Sequence, residues 1–115
     1  MLPSPPGEHG ALSAKPHYCC EEVERLARAG RVIATQRVVS WLVNHDYDAA
    51  EIIVEVLKSL KSSGRWVGSV ELRNGEIADE YLVSCADEDW YLKFCIDEGQ
   101  VVVSVWSCCW DGVVH

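Results

Sequence analysis

Apolar residues in the first half of the chain recur at the three- and four-residue spacing of amphipathic helices. A first helix is predicted from about residue 20 to residue 29, with Gly30 as its stop. Thr35 is a suitable N-cap for a second helix. Asp48 begins a capping-box pattern at the start of a third. The first half is therefore predicted to hold two to three short helices.

From residue 65 onward the apolar period changes to two, which is typical of strands. The pair Asn74-Gly75 is a strong hairpin signal. The alternation predicts an α+β fold, in which the helices pack on one face of a four-stranded antiparallel sheet. Residues 31–34 are interpreted as a short extended link, and the segment from residue 109 could extend the last strand. The predicted strands are residues 66–73, 76–85, 90–96 and 100–107.

Residues 1–15 are rich in Pro, Gly, Ser and Ala, so we predict a disordered N-terminal tail. Residues 16–115 then form one domain, as expected for a chain of 115 residues. The sequence has no apolar run of about 18 residues, and its opening lacks the basic start and apolar block of a signal peptide. A cytoplasmic protein without membrane contact is therefore expected.

The six cysteines are predicted to be reduced thiols, because no signal peptide is expected. Two pairs are adjacent in sequence and neither has CxxC spacing, which disfavours both a vicinal bridge and a paired zinc site. A zinc site from His17, Cys19, Cys20 and a distant cysteine is the alternative. Cys85 and Cys95 are expected to be small buried apolar residues. The prediction is no metal and no cofactor.

The formal net charge of −8 is unevenly distributed along the chain. Residues 1–65 hold eight basic and eight acidic residues, whereas residues 66–115 hold only two basic residues against ten acidic ones. The sheet half should therefore repel a phosphate backbone, which excludes a general nucleic-acid binder. An RNA-directed role requires a local basic groove. The cations proposed to contact RNA are Arg25, Arg28, Arg37 and Lys61.

Several short motifs occur in an order that matches a known family. The chain has Lys15-Pro16-His17-Tyr18, then a helix followed by a Gly, and then a Val-x-x-Thr segment at residues 32–35. A Tyr-x-Lys strand follows at residues 91–93, and a V-x-V-x-S pattern lies within residues 101–107. In this order and spacing, residues 15–110 resemble the MqsR family of bacterial type II toxin–antitoxin toxins.

The resemblance implies a RelE-type ribonuclease fold, metal-independent cleavage of mRNA, and a cognate antitoxin as partner. Such cleavage needs groups that activate the ribose 2′-hydroxyl, protonate the leaving oxygen and stabilise the phosphorane. Tyr91 and Lys93 match the family's strand Tyr and Lys, and are implied as catalytic residues. Arg65, which stands where the family has a Lys, and Tyr81, from another family segment, complete the predicted catalytic set. The family's Gln and terminal Lys have no counterpart.

Structural roles are the alternative for these residues. Tyr81 and Tyr91 are also typical of half-buried sheet positions, where the hydroxyl finds a partner. Lys93 could be an ion-pair partner of Asp79 or Glu80 on an otherwise acidic sheet. These alternatives remain open from the sequence alone.

Two function hypotheses follow. The first is an MqsR-like endoribonuclease toxin that acts on mRNA or ribosome-associated RNA. The second is a non-catalytic, protein-binding or inhibitory domain on the same fold, which the net charge and the missing family residues favour. The chain also resembles small toxin-like domains of RelE/BrnT-like topology without an established activity. A groove that collects Arg65, Tyr91, Lys93 and the helix arginines would favour RNA, whereas an acidic groove beside exposed Trp106 and Trp110 would favour a protein partner.

Overall fold

The computed structural model of the chain describes residues 14–112. Helices and strands follow one another in the order α1, β1, α2, α3, α4 and β2 to β5. The helices are α1 (Cys20–Arg28), α2 (Gln36–Asn44), α3 (Ala49–Lys58) and α4 (Leu60–Ser63), and the strands are β1 (Val32–Ala34), β2 (Gly64–Glu71), β3 (Ile77–Cys85), β4 (Glu88–Asp97) and β5 (Val102–Trp110).

The helix ends confirm the predicted capping signals. The Thr35 hydroxyl accepts from the Val38 amide at 3.3 Å, and the Asp48 carboxylate accepts from the Glu51 amide at 3.1 Å. Gly30 has a φ of 74° after α1, a conformation that a glycine adopts without steric cost. The third predicted helix is divided in two, because α3 ends before Ser59 and the next residues form the single turn α4.

The prediction of a four-stranded antiparallel sheet is wrong in its strand count and direction. The sheet has five strands in the order β1-β5-β4-β3-β2, and β1 pairs parallel with β5. The segment interpreted as an extended link is β1 itself, with Val32, Ile33 and Ala34 opposite residues 103–105. Three residues are too few for an alternating pattern, and their partner lies about 70 positions away, so no local signal marks this strand. The four strands β2 to β5 form the predicted antiparallel meander.

The alternation of β4 separates the two faces of the sheet as predicted. Trp90, Leu92 and Phe94 are fully buried in the core with the helices. Tyr91 and Lys93 lie between them in sequence and therefore point to the opposite face, which we call the outer face. The helices thus pack on one side of the sheet, and the outer face carries the polar residues of β4.

The start of the described chain is attached to the sheet through Asp79, a buried residue of β3. Its two carboxylate oxygens accept from the amides of His17 and Tyr18 at 2.9 Å, and it also accepts from the Ser69 hydroxyl at 2.5 Å. The Tyr18 hydroxyl donates to the carbonyl of Ile77 at 2.6 Å. The Lys-Pro-His-Tyr segment therefore has a structural role in closing one end of the sheet.

Two predictions concern the ends of the chain and its relation to membranes. The predicted tail of residues 1–15 falls outside the described residues except for residues 14 and 15. None of the helices in residues 14–112 is long and apolar enough to cross a membrane.

Candidate functional site

A cleft of about 390 Å³ opens on the outer face of the sheet, lined by Thr35, Arg37, Leu72, Arg73, Lys93 and Trp106. Its floor comes from β4 and β5, through Lys93 and Trp106. One wall is the start of α2. The other wall is the tip of the β2–β3 hairpin. Leu72 and Trp106 line the same cleft although β3 and β4 lie between their strands in the sheet, so the hairpin tip curls over the outer face. The cleft therefore combines three parts of the chain that are distant in sequence.

The cations of the molecule divide into paired and unpaired groups, and the unpaired ones concentrate at this cleft. All ten Lys and Arg residues lie within the described part of the chain. Arg25, Arg28, Lys58 and Lys61 form ion pairs with glutamates at 2.6–3.5 Å. The Arg31 guanidinium donates to the carbonyls of residues 100 and 101.

Arg37, Arg73 and Lys93 contrast with these paired residues. Each forms neither an ion pair nor a side-chain hydrogen bond with any described residue, and all three line the cleft. Arg65 shares this lack of a partner within residues 14–112, but it lines a different depression, with Asp89 and Asp111. Three cations without an ion-pair partner among the described residues therefore line one cavity.

The nearest carboxylates on the outer face have other partners. Glu80 is the strand neighbour of Lys93, but it accepts a hydrogen bond from the Tyr91 hydroxyl. Glu76 accepts from the Asn74 amide at 2.8 Å and lies 3.7 Å from the Cys95 thiol. Among the described residues that line the cleft, none is acidic. The predicted ion pair of Lys93 with Asp79 or Glu80 does not form in the structure, and Asp79 lies in a buried network away from the outer face.

Trp106 supplies the aromatic surface of the cleft. Burial in the core is the default expectation for a tryptophan in a strand, with an exposed patch as the alternative, and the structure places Trp106 half-buried on the outer face. Its indole nitrogen is buried and has no hydrogen-bond partner of good geometry among residues 14–112. It is directed toward Cys95, whose pKa is raised to about 11 mainly by burial. Because that thiol stays neutral at physiological pH, it adds no negative charge beneath the ring.

Tyr91 is on the same face, with its hydroxyl committed to Glu80. Burial raises the pKa of the Tyr91 hydroxyl above its ordinary value, and the hydrogen bond to Glu80 raises it further. The hydroxyl is therefore protonated at neutral pH and acts as a donor.

Tyr81 lies on the opposite face from Tyr91. Its side chain is buried in the core, stacked on Phe94 with the ring centroids 6.0 Å apart, and its hydroxyl lies 3.4 Å from the Cys20 sulfur. Burial raises its pKa above the ordinary value of a tyrosine. Because the sheet separates Tyr81 from Tyr91, the two hydroxyls cannot act on one substrate atom.

The structure thus brings together only part of the predicted site. Lys93 and Arg37 share the cleft, Tyr91 lies on the same face, and Arg65 lies outside the cleft. The remaining predicted RNA contacts, Arg25, Arg28 and Lys61, are paired with glutamates on the helical side. Thr35, Leu72 and Arg73 are cleft residues that the sequence did not single out as site residues. A cation directly before Asn74-Gly75 was the available signal for Arg73, because a hairpin tip can fold toward a neighbouring surface.

The structure offers little support for the alternative zinc site. Residues 14–112 contain no group of three or more His, Cys, Asp or Glu side chains placed to hold a metal ion. Of the proposed ligands, Cys19 donates to the Glu21 carboxylate at 3.1 Å and Cys20 lies against Tyr81.

Comparison of the chain with protein-family models, with curated proteins and with solved structures gives no match. The resemblance to the MqsR family therefore stays a prediction from the sequence motifs.

Proposed function

We propose that this protein is an MqsR-like toxin of a type II toxin–antitoxin system, a metal-independent endoribonuclease that binds single-stranded RNA on the outer face of its sheet. One observation carries the proposal: Arg37, Arg73 and Lys93, three cations without partners among the described residues, line one cleft together with Trp106. Positive charge beside an aromatic side chain is the combination that binds single-stranded nucleic acid. The cognate antitoxin is the expected protein partner.

The acidic character of the whole chain is compatible with such a site. Salt screens charges beyond a distance of about 8 Å at physiological ionic strength, so a bound phosphate responds mainly to the charges that line its pocket. The residues that line the cleft carry three positive charges, with the Glu80 carboxylate beside Lys93 in the neighbouring strand, whereas the chain as a whole has a formal charge of −8. RNA should consequently bind at the cleft and only weakly to the rest of the surface.

The outer face also holds groups that fit the chemistry of cleavage. Attack of the ribose 2′-oxygen on phosphorus forms one P–O bond and breaks the P–O5′ bond, leaving a 2′,3′-cyclic phosphate and a 5′-hydroxyl. In the proposed mechanism the Glu80 carboxylate takes the 2′-hydroxyl proton, and the Tyr91 hydroxyl gives its proton to the leaving O5′. Lys93 stabilises the negative charge on the phosphorane. The hydrogen bond between Tyr91 and Glu80 then returns the proton from Glu80 to Tyr91.

The first test compares two lysine variants after induced expression. Lys93→Ala removes a cleft cation, whereas Lys58→Ala removes a helical lysine that is paired with Glu55 at 3.5 Å. Wild type and Lys58→Ala should arrest growth with cleaved transcripts. Lys93→Ala and the double variant Tyr91→Phe/Lys93→Ala should relieve both effects. Growth arrest that is equal in all four proteins would contradict the proposed site.

The second test measures binding and cleavage with purified protein. A short single-stranded RNA should be cut in the presence of EDTA, and its affinity should fall as the salt concentration rises, because each neutralised phosphate adds about 0.7 to the log–log slope. The affinity should fall and the slope should flatten in Arg73→Ala, and both should stay constant in Lys58→Ala. Cleavage that requires a divalent ion would overturn the metal-independent mechanism.

A non-catalytic binding domain on the same fold is the second candidate. The observation that favours it concerns the Tyr91 hydroxyl, which already donates to Glu80. No other described group holds this hydroxyl toward the space where a substrate would bind. Folded wild-type protein that leaves growth and mRNA unaffected would support this candidate over the ribonuclease.

A further inference from the structure

We propose that the cleft is a binding site for a single nucleotide, in which Arg37, Arg73 and Lys93 bind the phosphate and Trp106 stacks on the base. The inference rests on the proposed function, because that nucleotide would be one unit of the bound RNA. It goes further by stating what occupies the cleft and which end of the ligand meets which residues.

The phosphate end is assigned by the charges. The three cations come from α2, from the tip of the β2–β3 hairpin and from β4, so they approach the cavity from different sides. Arg guanidinium groups bind phosphate oxygens through paired N–H donors, and Lys adds a compact charge. A ligand with a dianionic phosphate would neutralise most of this charge.

The start of α2 adds to the same end of the cleft. Thr35 and Arg37 are lining residues, and the first turn of α2 contains no acidic side chain, whereas the first turn of α1 contains two glutamates and that of α3 contains one. The first amides of a helix have no acceptor inside it and favour an anion. This contribution supplements the three side chains, which carry the argument.

The base end is assigned by the apolar walls. Trp106 and Leu72 line the cleft from β5 and from the hairpin tip, and they are its two large apolar residues. Stacking on an aromatic ring is available to every base, because each base has a π-face. The site should consequently discriminate weakly between the four bases, but its full affinity should require that a base be present.

The volume limits the occupant to about one nucleotide. Small-molecule sites usually enclose several hundred cubic ångströms, and about 390 Å³ is at the lower end of that range. A base that is paired in a duplex cannot reach Trp106 without leaving its stack. Single-stranded RNA and free nucleotides are therefore expected to bind, and duplex RNA is not.

The experiment titrates the full chain with three probes: adenosine 5′-monophosphate, adenosine and inorganic phosphate. Calorimetry gives the affinities, and the Trp106 indole N–H resonance, assigned by its loss in Trp106→Phe, reports the site. The monophosphate should bind about tenfold more tightly than either fragment, since it uses both ends of the cleft. It should also shift the Trp106 resonance.

Variants separate the two ends. Arg73→Gln should weaken binding of the monophosphate and of phosphate about tenfold, with adenosine unchanged. Trp106→Leu should weaken the monophosphate and adenosine about tenfold, with phosphate unchanged, and Trp106→Phe should recover part of the loss. Lys58→Gln is the charge-matched control. Trp106→Phe replaces Trp106→Leu if the latter unfolds on heating below the wild type.

Two results would overturn the inference: no binding of the monophosphate to folded wild type, or equal losses in Arg73→Gln and Lys58→Gln. Its failure is distinguishable from failure of the proposed function. Nucleotide binding by a protein that leaves RNA uncut would support the nucleotide site and contradict the ribonuclease activity. RNA cleavage that is unchanged in Trp106→Leu and unaffected by added monophosphate would support the ribonuclease and contradict the nucleotide site.

Discussion

Asp79 is the buried carboxylate that joins the start of the described chain to the sheet. It accepts from two backbone amides and one hydroxyl, and its side chain has no exposure to solvent. Residue type does not separate it from Glu80, its neighbour, which lies on the outer face and contacts Tyr91. Only the face on which each side chain lies distinguishes a structural carboxylate from a candidate proton acceptor.

Replacement of Asp79 should destabilise the fold strongly. In Asp79→Ala the partly buried amides of His17 and Tyr18 and the buried Ser69 hydroxyl lose their acceptor, and we expect a total loss of about 3 kcal/mol in the free energy of unfolding. Asp79→Asn keeps one acceptor oxygen and should lose about half as much. Urea unfolding at pH 7 measures both. Asp87→Asn, which removes an exposed charge at a turn, is the control and should change little. Equal stability of Asp79→Ala and wild type would contradict the anchoring role.

The cleft cations show how far a single residue can be predicted. Lys93 was predicted from the Tyr-x-Lys pattern of its strand. Arg37 was predicted because an RNA-directed role requires a local group of cations, and both residues line the cleft. Arg25 and Arg28 were selected by the same need, but each has a glutamate three or four residues earlier that neutralises it. That spacing is visible in the sequence and would have excluded them.

At the scale of elements, the turn that leads into β5 carries backbone strain. Val101 has a φ of 56°, a conformation that is unfavourable for a β-branched residue. The turn is held by the Arg31 guanidinium, which donates to the carbonyls of Gln100 and Val101 at 2.6 and 2.8 Å, and by the Arg31 carbonyl, which accepts from the Val103 amide. The same contacts place β1 beside β5.

Val101→Gly should stabilise the protein. Glycine adopts a positive φ without the steric cost that valine meets, so a gain of about 1 kcal/mol in the free energy of unfolding is expected. Val67 is the matched control, because it is a similarly exposed valine, 45% against 44%, in strand β2 without a positive φ. Val67→Gly should lose about 0.5–1 kcal/mol. Chemical denaturation of both variants tests the pair, and a loss in Val101→Gly would show that the turn is not strained.

At the scale of the whole molecule, buried thiols and phenols set the response to alkaline pH. Burial raises the pKa of Cys95 and of Cys109 from about 9 to about 11, and that of Tyr18 from about 10 to about 12. These groups lose their protons in the unfolded chain before they do so in the folded one. Their contribution to stability is therefore complete below about pH 9 and is lost as the pH rises toward 11 and 12.

The urea midpoint should accordingly stay constant from pH 7 to pH 9 and fall between pH 9 and pH 11, in the presence of a reductant. Cys95→Ala should flatten part of that fall, because it removes one of the titrating groups. Cys19→Ala removes an exposed thiol and should keep the full fall. A midpoint that rises above pH 9, or a fall that is the same in Cys95→Ala, would contradict the assignment.

The sequence by itself determined the local features of this protein. The helices, their caps at Thr35 and Asp48, the Asn74-Gly75 turn and the two faces of β4 depend on contacts within a few residues, where period and side-chain chemistry act directly. The α+β class follows from these features.

The tertiary structure alone decided the features that join distant segments. It placed β1 in parallel beside β5, curled the β2–β3 hairpin so that Arg73 meets Arg37 and Lys93, and put Tyr81 and Tyr91 on opposite faces. No pattern within one segment encodes such contacts, because each depends on the packing of the whole core and on which backbone edges remain unpaired when the meander has formed.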